Sequence, residues 1–334
     1  MNPTCVGAPH EGPPTRSVGS ARVRRHERSP AIVPVDADIP DRPLWSVVIP
    51  IHNAAHLLAE SLGSVVSQLG DRPDAEIIVV DDGSDDDPAS VCEAVGGGRV
   101  VVHRNPTAVG AVHNFNVCLG HTSGRWIHLL HGDDRVQPGF YAAMERSMGH
   151  VGVVAAVCRT QQIDDQGAPL GPTRSERKGT GAWSGALETI AISNRVRPAA
   201  VVVARSAYEE SGGYREDLPH AADWEMWARL AAQGTIWFVD EILACYRRHD
   251  GSDTAARVRT GANIRERLVA ARIINDYLPA DARIPALRRS NGYSSVFAAR
   301  TALRCARTHD WRAAAAQLRD AARCLFAVIA PSRT

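Results

Sequence analysis

The stretch "IIVVDDGSDDDPAS", residues 77–90, runs from four aliphatic residues straight into five acids within seven positions. A short uninterrupted apolar run bounded by turn residues predicts a strand buried on both faces, as in a parallel sheet. The acids then fall at the carboxyl end of that strand, which is where open α/β sheets bind their ligands. For Asp85, Asp86 and Asp87 there is also a plain local role. Ser84 or one of these aspartates suits the N-cap of a helix starting at Pro88, whose positive end favours acids.

The neighbouring text repeats the alternation. Upstream, "WSVVIP" from Trp45 is a short apolar strand, and "AAHLLAESLGSVVSQL" sets Leu57, Leu58, Ser61, Leu62, Val65, Val66 and Leu69 at helical spacing. Downstream come a short helix "PASVCEAVG" stopped by Gly96 to Gly98, a strand "RVVVHRN", a helix around "AVHNFNVCLGHT", a strand "RWIHLLH" and a helix "PGFYAAMERSMG". This βαβαβαβ pattern predicts an α/β protein with an open, mostly parallel sheet. "HGDD", residues 131–134, falls at a second strand end.

The second half is looser. "VGVVAAVCRTQQIDDQG" predicts a strand with a turn at Asp165 to Gly167, "PAAVVVARSAYEESGGY" a strand and short helix, "HAADWEMWARLAAQG" a helix, and "TIWFVDEILACYRRHDGS" a closing strand. Beyond it, "YSSVFAARTALRCARTHDWRAAAAQLRDAARCLFAVIA" carries two amphipathic patterns joined at Thr308 to Asp310, an αα-hairpin. From residue 251 onward fifteen Arg stand against six Asp and Glu. That basic excess is either a solvated face or a contact for anionic lipid or an acidic partner.

Residues 1–43, rich in Pro, Gly, Ser and Arg, show no hydrophobic period and are expected to be a disordered leader. They lack the apolar core of a signal peptide, and no run of about 18 apolar residues occurs anywhere, so a cytoplasmic protein is expected. The formal net charge of +1 argues against a general polyanion binder such as a nucleic-acid protein. Seven scattered cysteines with no CxxC predict neither a disulfide framework nor a zinc knuckle. A dinucleotide-binding fold is disfavoured because "PIHNAAH" stands where G-x-G-x-x-G belongs, and a P-loop is missing too.

Four segments together resemble a known family: "WSVVIPIHNAAHLLAESLGSVVSQ", "EIIVVDDGSDD", "HRNPTAVGAVHNFNVCLGHTSGRWIHLLHGDD" and "GGYREDLPHAADWEMWARLAAQGTIWFVDEILACYRRHDGS" are similar, in order and spacing, to glycosyltransferase family 2 proteins of GT-A fold. The resemblance implies an inverting transfer of a sugar from a UDP-, dTDP- or GDP-linked donor to a glycan, lipid-linked or natural-product hydroxyl, assisted by Mn²⁺ or Mg²⁺. It divides the chain into the leader, a nucleotide-sugar half at 44–150, an acceptor half at 151–255 and a helical region at 256–334, whose basic face is the candidate contact for the inner face of a membrane.

The same resemblance assigns residues. Pro50, His52 and Asn53 match the loop that wraps the nucleoside. Asp82 matches the contact to the base edge, with Gly83 and Ser84 shaping the turn, and Gly110, Asn116 and Asp133 complete the donor site. Asp133 and Asp134 match the metal pair, hard oxygen ligands that leave positions open for two phosphates. His131 stands where many members have Asp, and Phe115 where many have Arg. His249 matches a further metal or diphosphate contact, and Arg247 or Arg248 is a candidate for the diphosphate. Asp223 of "HAADWEMW" matches the general base, although an N-cap for the following helix is its alternative. A degenerate family member that only binds a glycan or partner, or a sugar nucleotidyltransferase, are the competing readings.

Overall fold

A computed structural model of the chain describes residues 29–36, 39–249, 251 and 253–329. In chain order it contains β1 (Trp45–Ile51), α1 (Ala55–Leu69), β2 (Ala75–Asp81), α2 (Pro88–Gly96), β3 (Val100–Arg104), α3 (Ala111–Gly120), β4 (Trp126–Leu129), β5 (Arg135–Val136), α4 (Phe140–Met148), β6 (Val153–Ile163), β7 (Pro169–Pro172) and β8 (Gly181–Ala182). There follow α5 (Ala186–Ile192), a 3-10 turn at Pro198–Ala200, β9 (Val201–Ala204), α6 (Arg205–Ser211), α7 (Ala222–Gln233), β10 (Thr235–Arg247), α8 (Asp253–Thr260), α9 (Ala262–Asn275), α10 (Ala280–Arg307) and α11 (Trp311–Ile329).

The strands form one sheet in the order β3-β2-β1-β4-β9-β6-β10-β5, with β7 beside β6 and β8 beside β10. From β3 to β4 every pairing is parallel, as the alternation predicts. Beyond that β9 runs antiparallel to both β4 and β6, so the sheet is mixed over its second half. Apolar runs report burial and carry no strand direction, which is why only the regularly alternating half was legible.

The central strand β1 is buried along its whole length, and its period of two divides the interior. Val47 and Ile49 face α1, α2 and α4, where Leu58, Leu62, Cys92 and Phe140 pack. Val48 points to the other layer, with Leu119 of α3, Tyr208 of α6, Trp224 of α7 and Ile274 of α9. The helical region therefore contributes to the main core, and only α9, α10 and α11 build the small separate cluster of Ile264, Ala298, Ala321 and Cys324. His128 of β4 is wholly buried between the Tyr141 hydroxyl at 3.0 Å and the Ala199 carbonyl at 3.2 Å. Burial holds its pKa down to about 3, so the ring is neutral.

Residues 1–28 of the expected leader lie outside the described residues, but 29–36 correct the expectation. Ile32 is buried in the core, the Pro30 carbonyl accepts the Gly213 N–H at 2.8 Å, and Ser29 Oγ accepts from Arg229 at 2.9 Å. Glu209 takes the Val35 N–H, and Arg205 donates to the Val33 carbonyl. An extended segment held by two side chains, Ser29 and Ile32, and its backbone leaves no period to detect. The six described cysteines are free, and among the described residues no helix is long and apolar enough to cross a membrane.

Candidate active site

Three loops at the carboxyl ends of β1, β2 and β3 are tied into one wall. The Asp82 N–H donates to the Ile51 carbonyl at 2.8 Å. Asn53 adopts a left-handed φ of 51°, donates its N–H to Ser84 Oγ at 3.0 Å and accepts the Asp85 N–H at 2.7 Å. His52 Nδ1 lies 2.8 Å from the Asp82 carbonyl, which can only accept, so the proton sits on Nδ1. His52 and Asn53 remain exposed and Pro50 is buried behind them.

The acidic turn divides its labour. Asp82 is 3% exposed and accepts from Asn105 Nδ2 and the Val109 N–H, both at 2.8 Å, and from the Gly110 N–H at 2.9 Å. Expected as a base contact, it spends three of its acceptor sites on the chain's own 105–110 loop. Asp81 accepts the Ser84 N–H and pairs with Arg104. Gly83, at φ 67°, is needed because a Cβ would stand 2.9 Å from the Ala108 nitrogen. Asp87 caps α2 as expected, whereas Asp86 reaches across to the Ala55 N–H and caps α1, at 2.7 Å.

The second acidic site lies behind β4. His131, Asp133 and Asp134 bring one ligand atom each within 4.8 Å of one another. Asp134 is buried, with Oδ1 accepting the Arg247 N–H at 2.8 Å and Oδ2 meeting no partner. Burial, reinforced by Asp133 alongside, pushes the Asp134 carboxyl well above the usual range. A dry carboxylate oxygen with no donor is costly unless a cation takes it, so the site fits a divalent metal. Burial raises Asp133 too, but the His249 hydrogen bond and the His131 and His249 charges outweigh it and hold its pKa below the ordinary value. His249 was expected among the metal ligands. Its Nε2 lies 3.0 Å from Asp133 Oδ2, in a bond that raises its pKa, and His131 also stands beside the pair. Phe115 stacks on His131 at a centroid separation of 5.0 Å, which fixes the ring.

Two expected donor contacts have other work. Asn116 accepts the Tyr214 N–H at 2.7 Å and donates to the Tyr214 carbonyl and to Glu216, so it clamps the 213–216 turn. Arg247 is buried and donates to the carbonyls of Asp133, Asp164 and Asp165 and to Glu60, leaving exposed Arg248 as the arginine available to a diphosphate.

Asp223 lies in the first turn of α7, half-buried. Its Oδ2 accepts Asn194 Nδ2 at 2.8 Å and its Oδ1 the Trp224 N–H at 2.6 Å. It is not the N-cap: Ala221 holds that position, and Glu266 of α9 accepts the Ala221 N–H at 2.7 Å. Burial lowers the His131 pKa, and the charges of Asp133 and Asp223 oppose that effect, so His131 lies within electrostatic reach of both carboxylates. Glu225, two residues on, is wholly buried in an ion pair with Arg229. Sequence reasoning missed Asn194, Arg195 and Arg197 before the 3-10 turn. Their only signal was three polar residues ahead of a Pro and an apolar run.

A family model for glycosyl transferase family 2 matches residues 46–204. An uncharacterized protein of Mycobacterium tuberculosis is 30% identical over 259 residues, which cover 73% of this chain and 80% of the relative. Among solved structures, S. aureus TarS 1-349 in complex with UDP-GlcNAc aligns with a TM-score of 0.56 at 16% identity, over 84% of this chain and 91% of that one. The mannosyltransferase PcManGT from Pyrobaculum calidifontis in complex with GDP-Man and Mn²⁺ aligns with a TM-score of 0.55 at 19% identity, over 89% and 90%.

Proposed function

The chain belongs to glycosyl transferase family 2 and has the GT-A fold, and from that premise we propose that it catalyses an inverting, metal-assisted transfer of a sugar from a nucleoside diphosphate to an acceptor hydroxyl. The observation that carries the reading is one juxtaposition: the partnerless buried Oδ2 of Asp134 beside Asp133, with the Asp223 carboxylate close enough for its charge to act on His131. The solved neighbours named above hold UDP-GlcNAc, or GDP-Man with Mn²⁺.

In this reading the nucleoside rests on the wall of Pro50, His52, Asn53, Gly83 and Ser84, and Asp82 serves it by fixing Gly110 and the 105–110 loop. Asp133 and Asp134, with His131, hold Mn²⁺ or Mg²⁺, which supplies charge neutralisation for the departing diphosphate. Asp223 accepts the proton of the acceptor hydroxyl as its oxygen bonds to the anomeric carbon and the bond from that carbon to the diphosphate oxygen breaks. The base must stand opposite the leaving group, and Asn194 orients its carboxylate for that. The acceptor is a glycan, a lipid-linked intermediate or a natural product. Chelation is the test. Excess chelator should abolish donor turnover, Mn²⁺ or Mg²⁺ should restore it, and Asp134→Ala should lose the metal-dependent part of donor binding. Full turnover in chelator would refute the metal's role.

A surface feature favours a membrane site of action. On α11, Trp311, Leu318, Leu325 and Ile329 are each more than half exposed and recur at helical spacing. Arg312, Arg319 and Arg323 flank them. An apolar stripe edged with arginine suits an anionic bilayer surface.

A further inference from the structure

Near Asp223 three arginines stand with few acids about them: among the described residues only Arg195 of the three has an ion-pair partner. Arg195 and Arg197 come from the loop after α5, and Arg267 from α9. Arg195 and Arg267 both lie against the Tyr293 ring of α10, at 5.6 and 5.8 Å, and Arg267 also covers Trp224, the residue after Asp223, at 4.7 Å. Arg197 lies over Tyr246 at 5.2 Å, and its charge is felt at both Asp134 and Arg267. Arg195 Nε, Arg197 Nε and Arg267 Nη2 are each buried with no hydrogen-bond partner. The nearest acid to Arg195 is Glu176, at 3.9 Å.

Guanidinium groups buried against aromatic rings are held in fixed orientations, and their donors cannot be left dry without cost. Three such groups with unused N–H donors amount to a site for oxygen anions. In the proposed reading the donor's diphosphate sits at the metal pair, and of the three arginines it is Arg197 whose charge reaches Asp134. Arg195 and Arg267 share the Tyr293 ring, and Arg267 lies beside the base, where the acceptor hydroxyl must arrive. We propose that Arg195 and Arg267, which share the Tyr293 ring beside Trp224, bind an anionic group of the acceptor, a carboxylate or a phosphate, and so select an acidic acceptor. The inference rests on the glycosyl-transfer reading and narrows its acceptor. It also gives α9 and α10 a functional role, since they supply Arg267 and Tyr293.

The test uses the full chain with Mg²⁺ and saturating nucleoside diphosphate, so that the donor's phosphate positions are filled. Inorganic phosphate and glucuronate are then titrated by calorimetry, and both titrations are repeated without nucleotide. Saturable binding of at least one anion is expected in both settings, and the better binder tells phosphate from carboxylate. Arg195→Met and Arg267→Lys should each weaken it roughly ten- to a hundredfold, the usual effect of losing a hydrogen bond to a charged group, with nucleotide affinity unchanged. Arg267→Lys keeps the charge without the fork, and Arg195→Met leaves the Trp224 contact intact. Anion binding that disappears once nucleotide is bound, or variants that lose nucleotide affinity, would assign the arginines to the donor and overturn the proposal. Anion binding unchanged in both variants overturns it as well. Failure of the unmodified protein to bind nucleotide would count against the donor site alone, because the nucleotide-free titrations still report on the arginines.

Discussion

Asp223→Asn separates catalysis from binding and from folding. The carboxylate accepts two hydrogen bonds, from Asn194 to Oδ2 and from the Trp224 N–H to Oδ1. An amide has one accepting oxygen, so one of the two is lost. The site is half-buried, and a loss of about 1 kcal/mol follows, or a melting temperature lower by roughly 2 °C in a chain of this size. The Ala221 N–H at the helix start keeps its acceptor, because Glu266 supplies it. Nucleoside diphosphate affinity should stay within about twofold, since the proposed donor contacts come from the Asp82 wall and the metal pair and not from Asp223. Transfer should fall by roughly 10²- to 10⁴-fold, the range for a positioned base, equivalent to about 3–5 kcal/mol of barrier. The assay is release of nucleoside diphosphate with and without acceptor, beside calorimetric nucleotide binding and a melt. Near-native transfer, or transfer and nucleotide binding lost together in a folded protein, would refute the assignment of Asp223 as base.

Buried neutral His128 must gain a proton on unfolding in acid. With its folded pKa near 3 and an ordinary value near 6.5, the unfolded state binds more protons between those values, so stability falls as pH drops through that window. Urea melts should show about 2 kcal/mol lost to this group between pH 6.5 and 5, and His128→Gln should remove that slope; an unchanged slope would clear His128. Ile32→Ala should cost about 2–4 kcal/mol in urea melts if the 29–36 segment is docked as described, and no change would mean that it is not. Binding to vesicles containing anionic lipid should fall steeply with salt and be weakened by Leu325→Ser. Salt-independent binding, or none, would return the basic helices to a solvated face.

The parts legible in the sequence are those whose cause is local. A strand followed at once by a turn announces itself in ten residues, so the wall built from β1, β2 and β3 and the acidic pair at 133–134 after β4 were legible in the sequence. Roles that depend on distant partners could not. Asn116 looks the same whether it faces a nucleotide or clamps Tyr214 and Glu216, which lie about a hundred residues away in sequence. His249 was the histidine expected beside Asp133, and the fold brings both it and His131 to the acidic pair.

The helical region is the strongest case. Its amphipathic period predicts helices packed on something but does not say on what. In the structure Glu266 caps α7, Arg267 covers Trp224, and Tyr277 bonds Glu225 within the buried pair with Arg229. Three side chains of the α9 segment thus hold the helix that carries Asp223, all at its N-terminal turn. A cap and a hydrogen bond to a buried charge each contribute on the order of 1–3 kcal/mol, so these helices are part of the architecture that positions Asp223, the proposed base. Orientation of Asp223 relative to Asp133 is therefore determined from the C-terminal side of the chain, through contacts that no motif around "HAADWEMW" could record.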